Sequence, residues 1–302
     1  MSREKTLEID NITKSFGENI AVKGLSFHMK EPGVFGLIGT NGAGKTTAIR
    51  CILGIMGSDG GEAKWLGKRI TRDTLGFGYM PEERGVYMKI GVLAQLKYFG
   101  MLRGMGKAEA EESALGFLKR LNVEEYRDME VEKLSKGNQQ KIQLISTLVH
   151  DPDLIFLDEP FSGLDPINTE NLRTLIEELV AEGKYIVMSS HQMNIVEDFC
   201  NDIALLHKGE TILSGNLREI KEGYGRTNLI VEAGEDVTAI ADRHGLRLIQ
   251  KKANLSEYAI QGDAMAEEFL QSMLREGIYP IRYEIKEPSL HQIFIEKVGE
   301  KQ

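Results

Sequence analysis

Glycine, lysine and threonine residues that could hold a polyphosphate lie together near residue 40. Gly39, four further residues and then Gly44, Lys45 and Thr46 fit the P-loop pattern G-x-x-x-x-G-K-[ST]. Glycines there let backbone N–H groups point at phosphate oxygens, because no Cβ blocks the approach. Lys45 would place its charge on the β- and γ-phosphates, and the Thr46 hydroxyl would bind Mg²⁺. The expected phosphate-binding residues are Gly39, Thr40, Asn41, Gly42, Ala43, Gly44, Lys45, Thr46 and Thr47.

Two consecutive acids follow a short apolar stretch later in the chain. The segment LIFLDEP, residues 154–160, is typical of a buried strand that ends at Asp158 and Glu159. This is the Walker B arrangement, in which Asp158 would hold Mg²⁺ through its hydration shell. Glu159 would orient an attacking water or accept its proton. The alternative, a solvated strand end, is weaker because four apolar residues precede the acids and Pro160 follows them.

The elements around both motifs predict a sheet that would position them. VFGLIG, residues 34–39, indicates a buried strand before the phosphate loop, whereas an accidental glycine-rich match would lack it. TTAIRCIL, residues 46–53, indicates a helix whose N-terminus would face the phosphates. Strands and helices then alternate as far as the predicted hairpin DIALLHKGETILSG, residues 202–215. This alternation predicts an α/β fold with a largely parallel sheet and the phosphate site at its carboxyl edge.

Other segments depart from that alternation. Residues 3–35 carry strand-like patterns, and EAKWLGKRI, residues 62–70, indicates one further short strand. A helical period over 88–128 predicts a small helical subdomain, which with the next helix spans about 86–150. The order β-α-β-β-α-β over 226–302 suggests a ferredoxin-like α+β domain. We therefore expect two domains, 1–223 and 226–302.

Composition limits the class of protein. The 302 residues carry a net charge of −9, which argues against a nucleic-acid partner. The two cysteines, Cys51 and Cys200, lack metal-type spacing and are predicted to be buried in a reducing compartment. The first ten residues, MSREKTLEID, do not indicate a signal peptide, and no apolar stretch approaches the about 18 residues of a membrane span.

The segment LSKGNQQK, residues 134–141, precedes the Walker B strand, and with it the chain resembles the ATP-binding subunits of ABC transporters. Their signature is usually written LSGGQ, and its Ser and Gly bind the γ-phosphate of ATP held by the opposing subunit. The resemblance gives those roles to Ser135 and Gly137. Lys136 stands where Gly is usual, and Asn138 where Gln is usual. Lys136 would either add a charge near the phosphates or point to solvent, and we favour solvent.

Three further residues take roles from the resemblance. FSGLDP, with Asp165, resembles the D-loop that crosses the dimer interface. His191 in SSH resembles the switch histidine that contacts the γ-phosphate, although a lone histidine at a strand end is usually structural. Phe16 stands where the family places an aromatic ring on adenine, and a core phenylalanine is a nearly equal alternative.

One departure from the family pattern affects the metal site. GYMPEERG, residues 78–85, occupies the family's Q-loop, and Glu82 stands where Gln normally contacts Mg²⁺ and the attacking water. A carboxylate also binds Mg²⁺, so Glu82 joins Thr46 and Asp158 as an expected metal ligand. The alternative is that Glu82 and Glu83 form only a solvated turn.

The resemblance covers residues 5 to about 220 and implies a function. It predicts a Mg²⁺-dependent ATPase core, with an antiparallel β subdomain, a helical subdomain and Glu159, His191 and Lys45 as catalytic residues. The EERG loop and the carboxyl-terminal extension resemble export-type, sodium-efflux-like ATPases. Such subunits pair head to tail and serve a separately encoded permease from the cytoplasmic face of the membrane. The alternatives are a soluble ABC ATPase or a regulatory ATP-binding module. The cargo does not follow from the sequence, and residues 226–302 support only a partner-binding or dimer-stabilising hypothesis.

Overall fold

The computed structural model describes residues 6–71, 73, 76–83 and 85–299. The chain divides into two compact units, Met1–Ser214 and Gly215–Gln302. The predicted domain boundary at 223–226 therefore lies inside the second unit, because the helix Leu217–Tyr224 groups with it.

The first unit contains ten strands and six α-helices among its described residues. In chain order these are β1 (Leu7–Phe16), β2 (Asn19–Met29), β3 (Gly33–Gly39), α1 (Lys45–Ile52), β4 (Gly60–Trp65), β5 (Lys68–Arg69), β6 (Phe77–Met80), α2 (Val92–Leu102), α3 (Lys107–Arg120), α4 (Lys136–Leu148), β7 (Leu154–Asp158), α5 (Pro166–Ala181), β8 (Tyr185–Ser190), α6 (Met193–Phe199), β9 (Asp202–His207) and β10 (Glu210–Asn216, which ends in the second unit).

A six-stranded sheet in the order β10-β9-β3-β8-β7-β6 forms the centre of this unit. β3 pairs in parallel with β8 and β9, and β7 pairs in parallel with β6 and β8. Every residue of β3, β7 and β8 is buried, as expected for a parallel sheet covered on both faces. The predicted parallel sheet is confirmed. Because β8 separates β3 from β7, the phosphate loop and the paired acids leave the same edge of the sheet one strand apart.

A second sheet, in the order β2-β1-β4-β5, is antiparallel where its pairing is defined. The prediction of one strand for EAKWLGKRI was wrong, because Leu66 and Gly67 both have positive φ angles, 53° and 71°. Two such residues form a tight hairpin turn, so the segment divides into β4 and β5. Leu7, Ile12 and Leu25 of this sheet are at most 1% exposed.

The predicted helical subdomain contains α2 and α3, followed by α4. The inward-facing residues Val92, Leu96, Ala114 and Leu118 are all fully buried. Within residues 6–71, 73, 76–83 and 85–299, no helix combines the length and the apolarity that crossing a membrane requires. Cys51 and Cys200 are buried and free of disulfide bonds, and burial raises the pKa of both thiols.

The second unit has a ferredoxin-like core. Its elements are α7 (Leu217–Tyr224), β11 (Asn228–Glu232), α8 (Thr238–Arg243), β12 (Arg247–Lys252), β13 (Leu255–Ala259), α9 (Asp263–Arg275), β14 (Arg282–Lys286) and α10 (Leu290–Gly299). The strands pair antiparallel in the order β12-β13-β11-β14. Leu229, Tyr258 and Phe269 form a core between sheet and helices. The predicted β-α-β-β-α-β order is confirmed.

Candidate functional site

A cleft of about 640 Å³ opens where β3 turns into α1. Gly44 precedes α1 with φ 103°, and a Cβ there would lie 2.2 Å from the Ala21 carbonyl oxygen. Only glycine fits that position. The residues that line the cleft come from the phosphate loop and from segments around it: Phe16, Asn19, Ile20, Ala21, Asn41, Gly42, Ala43, Gly44, Lys45, Thr46, Thr47, Glu82, Glu159, Lys208 and Gly209.

Lys45 connects the phosphate loop to the strand-end acids. Its side chain is 6% exposed, and its ammonium group donates to the carbonyl oxygens of Gly39 (2.8 Å) and Thr40 (3.3 Å). Its Nζ also lies 3.1 Å from Glu159 Oε1, an ion pair without hydrogen-bond geometry. The positive charge is thus held between the loop and Glu159, with little water to screen it.

Glu159 and His191 form the next contact along this edge. Glu159 is 6% exposed, and its Oε2 lies 2.8 Å from His191 Nδ1 and 3.4 Å from the His191 backbone nitrogen, which donates to it. The backbone of Glu159 has φ 52°, a left-handed conformation that is uncommon outside glycine. With this conformation at Glu159, the extended backbone of β7 ends at Asp158. The structure therefore brings Lys45, Glu159 and His191 together as the sequence predicts.

Asp158 is fully buried beside Thr46 and Ser189. Its Oδ1 accepts a 2.5 Å hydrogen bond from Ser189 Oγ, and it also bonds to Thr46. Burial raises the pKa of Asp158, although these two hydrogen bonds lower it in part. Its Oδ2 has no hydrogen-bond partner among the described residues. A buried, unpaired carboxylate oxygen next to a threonine hydroxyl fits the hard oxygen ligands of Mg²⁺.

Ser189 is a site residue that the sequence analysis did not identify. In the parallel pairing of β7 with β8, Asp158 lies opposite Ser189. Besides donating to Asp158, the Ser189 hydroxyl accepts a 3.0 Å bond from the backbone N–H of Glu159. One side chain therefore orients both acids. The only sequence signal for Ser189 was its place two residues before His191, at the end of the strand that pairs with the Walker B strand.

Phe16 and Glu82 lie at the rim of the cleft. The Phe16 side chain is 49% exposed, so the core alternative does not hold for this ring. Lys14 Nζ lies 5.6 Å from its centroid. Glu82 is exposed on the loop after β6 and lines the same cleft. The structure thus places both residues where nucleotide contacts are expected.

The signature and D-loop residues lie elsewhere. The Ser135 hydroxyl caps α4 by accepting from the Asn138 backbone nitrogen at 3.3 Å. Asp165 caps α5 and accepts from both nitrogens of Asn168, at 2.9 Å from the backbone and 2.6 Å from Nδ2. A Cβ on Gly137 would lie 2.6 Å from Asn168 Nδ2. Asn168, which is bonded to Asp165, therefore lies against Gly137 where the two segments meet, and the sequence did not predict this contact. Ser135 and Gly137 are not among the described residues that line the cleft.

Two buried glutamines hold the loop between β6 and α2. Gln143 of α4 donates to the carbonyl oxygens of Pro81 (2.7 Å) and Glu83 (3.0 Å). Gln95 of α2 accepts from the Tyr87 backbone nitrogen at 3.1 Å. Both glutamines are at most 5% exposed. The loop that carries Glu82 is thus attached at its start to α4 and at its end to α2.

Comparison with known proteins follows the same division of the chain. Residues 22–162 match the family described as ABC transporter, and residues 215–298 match the C-terminal domain of DrrA1-3-like ATP-binding proteins. The chain is 42% identical to the uncharacterized ABC transporter ATP-binding protein YhaQ of Bacillus subtilis (strain 168) over 97% of this chain and 98% of that relative.

More distant similarities cover smaller shares of the chain. Identity is 33% to the Nod factor export ATP-binding protein I of Paraburkholderia xenovorans, over 84% of this chain and 82% of that protein. A solved structure of an ATP-binding subunit of an ABC transporter superimposes with a TM-score of 0.67 at 28% identity. The superimposed region covers 72% of this chain and 93% of the chain in that solved structure.

Proposed function

This chain belongs to the ABC transporter ATP-binding proteins, an ATP-hydrolysing family, and on that premise we propose that it powers export through a separately encoded permease. The observation that carries the proposal is the convergence of Lys45, Asp158, Glu159 and His191 at one edge of the parallel sheet. A buried base, a buried cation and a metal-ligand pair at one phosphate cleft suit hydrolysis better than binding alone.

The residues divide the chemical work between them. We assign Lys45 and the loop amides to the β- and γ-phosphates, where their donors face developing negative charge. Glu159 accepts the proton of the attacking water, and His191, 2.8 Å from its carboxylate, keeps that carboxylate oriented. Ser189 fixes both acids from the neighbouring strand.

Magnesium fits the residues on this edge. Thr46 and the free Oδ2 of Asp158 would hold it, with Glu82 within the same cleft as a third candidate. When bound, Mg²⁺ neutralises phosphate charge during transfer. The raised pKa of Asp158 means that ionising it costs free energy in the nucleotide-free site, so a cation there would favour the carboxylate form.

A second copy would complete the site. Ser135 caps α4 away from the cleft, so we propose that each ATP is held between one phosphate loop and the partner's signature segment. Helix N-termini favour anions, and α4 begins at Lys136, directly after Ser135. Asp165 bonds to Asn168, which lies against Gly137, so we expect Asp165 to move with that segment.

Gly137 tests whether this packing matters for turnover. A Gly137→Ala change is expected to lower ATP turnover about tenfold, because the added methyl group must displace Asn168, which Asp165 holds. Overpacking costs ~1–3 kcal/mol, and about 1.4 kcal/mol of that strain retained in the transition state lowers the rate tenfold. Asn168→Ala in the same chain should restore part of the loss by removing the close atom. Gly116→Ala in α3 is the control, since nothing lies within 4 Å of a Cβ there. Equal losses with and without Asn168 would contradict this explanation.

An exposed apolar surface next to the loop of Glu82 supports a permease partner. Tyr87, Ile90, Tyr98, Met101 and Leu102 are between 43% and 57% exposed on α2 and the loop before it. Exposed apolar patches of this kind mark interaction sites. Because Gln143 and Gln95 hold the loop at both ends, movement of α4 would reach this surface. An export direction agrees with the name of the Nod factor export relative.

Three measurements test the proposal together. Purified chain should release phosphate from ATP in the presence of Mg²⁺, and its mass in solution should double with ATP when turnover is blocked. Chain expressed with an affinity tag in its native cell should copurify with an integral membrane protein. Absence of turnover would favour the regulatory alternative, and turnover without a membrane partner would favour the soluble ATPase.

A further inference from the structure

The exposed ring of Phe16 lies at the rim of the cleft, on the last residue of β1. About half of this residue is open to solvent, yet it lines the same cleft as the phosphate loop. A flat apolar face beside a phosphate site suits a nucleobase, because bases stack on aromatic rings. A ring that rotates freely would lose that freedom on binding and weaken the affinity, so the contacts that hold Phe16 bear on nucleotide binding.

The end of β1 extends beyond its partner strand β4. The last paired residues of these two strands are Thr13 and Gly60, and β4 begins at Gly60. Residues 14–16 therefore have no β4 residue opposite them. On the other side of β1, the register with β2 shifts between Lys14 and Ser15. Regular sheet pairing thus holds this segment less tightly than the rest of β1.

Asp59, the residue directly before β4, takes the place of the missing strand. Its carboxylate accepts a 2.6 Å hydrogen bond from the Ser15 backbone N–H and a 2.9 Å one from Lys14 Nζ. Its own backbone N–H donates to the Thr13 carbonyl oxygen at 2.8 Å. Lys14, and then the Ser15 N–H, lower the pKa of Asp59, which is therefore an anion at neutral pH. One residue thus binds the three consecutive residues that precede Phe16.

Lys14 extends this support to the ring itself. Its Nζ, which Asp59 holds, lies 5.6 Å from the centroid of the Phe16 ring, within the range of a cation–π contact. The Lys14 side chain is only 16% exposed, so it packs along the sheet instead of extending into solvent. Because the ammonium group lies over one face of the ring, the opposite face is left for a base.

We propose that Asp59 is a positioning residue for nucleotide binding, which through Lys14 and the Ser15 backbone holds Phe16 in the orientation that stacks on the base of ATP. The inference rests on the proposed ATPase function and adds base recognition to it. Asp59 is not among the described residues that line the cleft, so it acts through Phe16 and not by contact with the nucleotide. Its effect is confined to the base end of the nucleotide.

Titration of the full-length chain with a non-hydrolysable ATP analogue and, separately, with inorganic tripolyphosphate tests this role. Asp59→Ala should weaken binding of the analogue about fivefold, which is part of the loss expected when base stacking is removed outright. Binding of tripolyphosphate, which has no base, should change less than about twofold, because the phosphate loop holds it. The KM for ATP should rise about fivefold with kcat unchanged, the pattern of a contact made equally in the ground and transition states.

Further variants separate orientation of the ring from general damage to the sheet. In a Phe16→Ala background, Asp59→Ala should change the affinity for the analogue less than about twofold, because no ring remains to be held. Glu62→Ala is the matched control, since it removes an ion pair with Lys64 on the same sheet, outside the residues that line the cleft. It should leave both affinities unchanged. Should Asp59→Ala not fold, Asp59→Asn removes only the charge and should show a smaller loss, again confined to the analogue.

Two results would overturn the role of Asp59. Equal losses for the analogue and for tripolyphosphate would mean that Asp59 only stabilises the fold, and losses from Asp59 and Phe16 that multiply would mean that the two act independently. If the native chain hydrolyses ATP but Asp59→Ala binds the analogue normally, hydrolysis stands and the role of Asp59 fails. If the analogue shows the expected pattern but the native chain releases no phosphate, the role of Asp59 stands and the proposed hydrolysis fails.

Discussion

Replacing Glu159 with glutamine is expected to lower kcat for ATP hydrolysis about 100- to 10,000-fold, the usual contribution of a positioned general base. Glutamine keeps the shape of the side chain but neither accepts a proton nor pairs with Lys45. ATP should bind as tightly or more tightly, because a negative charge next to the γ-phosphate is removed. The ATP-bound dimer should therefore accumulate.

Single-turnover phosphate release and ATP binding, measured on the same preparation, check this expectation. Glu177→Gln is the matched control, because Glu177 is an exposed acid on α5 that does not line the cleft. Turnover within about threefold of the native rate would show that Glu159 is not the general base. The attacking water would then be oriented by other groups. Weaker binding together with normal turnover would have the same consequence.

Replacing Lys45 with alanine is expected to weaken ATP binding at least about 100-fold, because a charge-assisted contact in a site with little water is lost. The change also leaves the carbonyl oxygens of Gly39 and Thr40 without their donor and Glu159 without its cation. The free energy of unfolding should therefore fall by ~1–3 kcal/mol even without nucleotide.

Lys208→Ala provides the comparison for Lys45. Lys208 is also a lysine of the cleft, but it is exposed at the rim. Its removal should weaken ATP binding only a few fold, as expected for a solvated charge. Isothermal titration of each variant with a non-hydrolysable ATP analogue measures the affinity, and urea unfolding measures the stability. Similar affinity losses in the two variants would mean that Lys45 has no special contact with the phosphates.

The strongest sequence signals were those in which a motif and its flanking elements agree. The glycines of the phosphate loop follow a buried strand and lead into the helix that begins at Lys45. In LIFLDEP, the apolar strand residues directly precede the two acids. Each signal is local, so a single segment is enough to recognise it. The alternation of strands and helices likewise predicted the parallel sheet, because the pattern is repeated over many residues.

The contacts that the sequence analysis did not identify are non-local. Ser189 orients two acids on another strand, and its role depends on the register between β7 and β8. Gln143 looks like an ordinary helix residue, yet it binds carbonyl oxygens about sixty positions earlier in the chain. Asn168 of α5 lies so close to Gly137 of α4 that a Cβ at residue 137 would be 2.6 Å from its Nδ2. No periodicity within one segment contains such information.

The division of EAKWLGKRI shows a different limit. Leu66 adopts a positive φ that leucine rarely takes, so residue type gave little warning of a turn there. Gly67 was the only local sign of a turn, and a single glycine inside a strand pattern is equally consistent with a β-bulge.

The left-handed backbone of Glu159, at φ 52°, bears on how its carboxylate is oriented. A non-glycine residue in that conformation stores about 1 kcal/mol or more. Two hydrogen bonds hold it there, one donated by the Glu159 backbone N–H to the Ser189 hydroxyl and one donated by the His191 backbone N–H to the Glu159 carboxylate. The carboxylate is thus pre-organised when the chain folds. If Glu159 is the base that we propose, each catalytic cycle would start from a carboxylate that is already oriented.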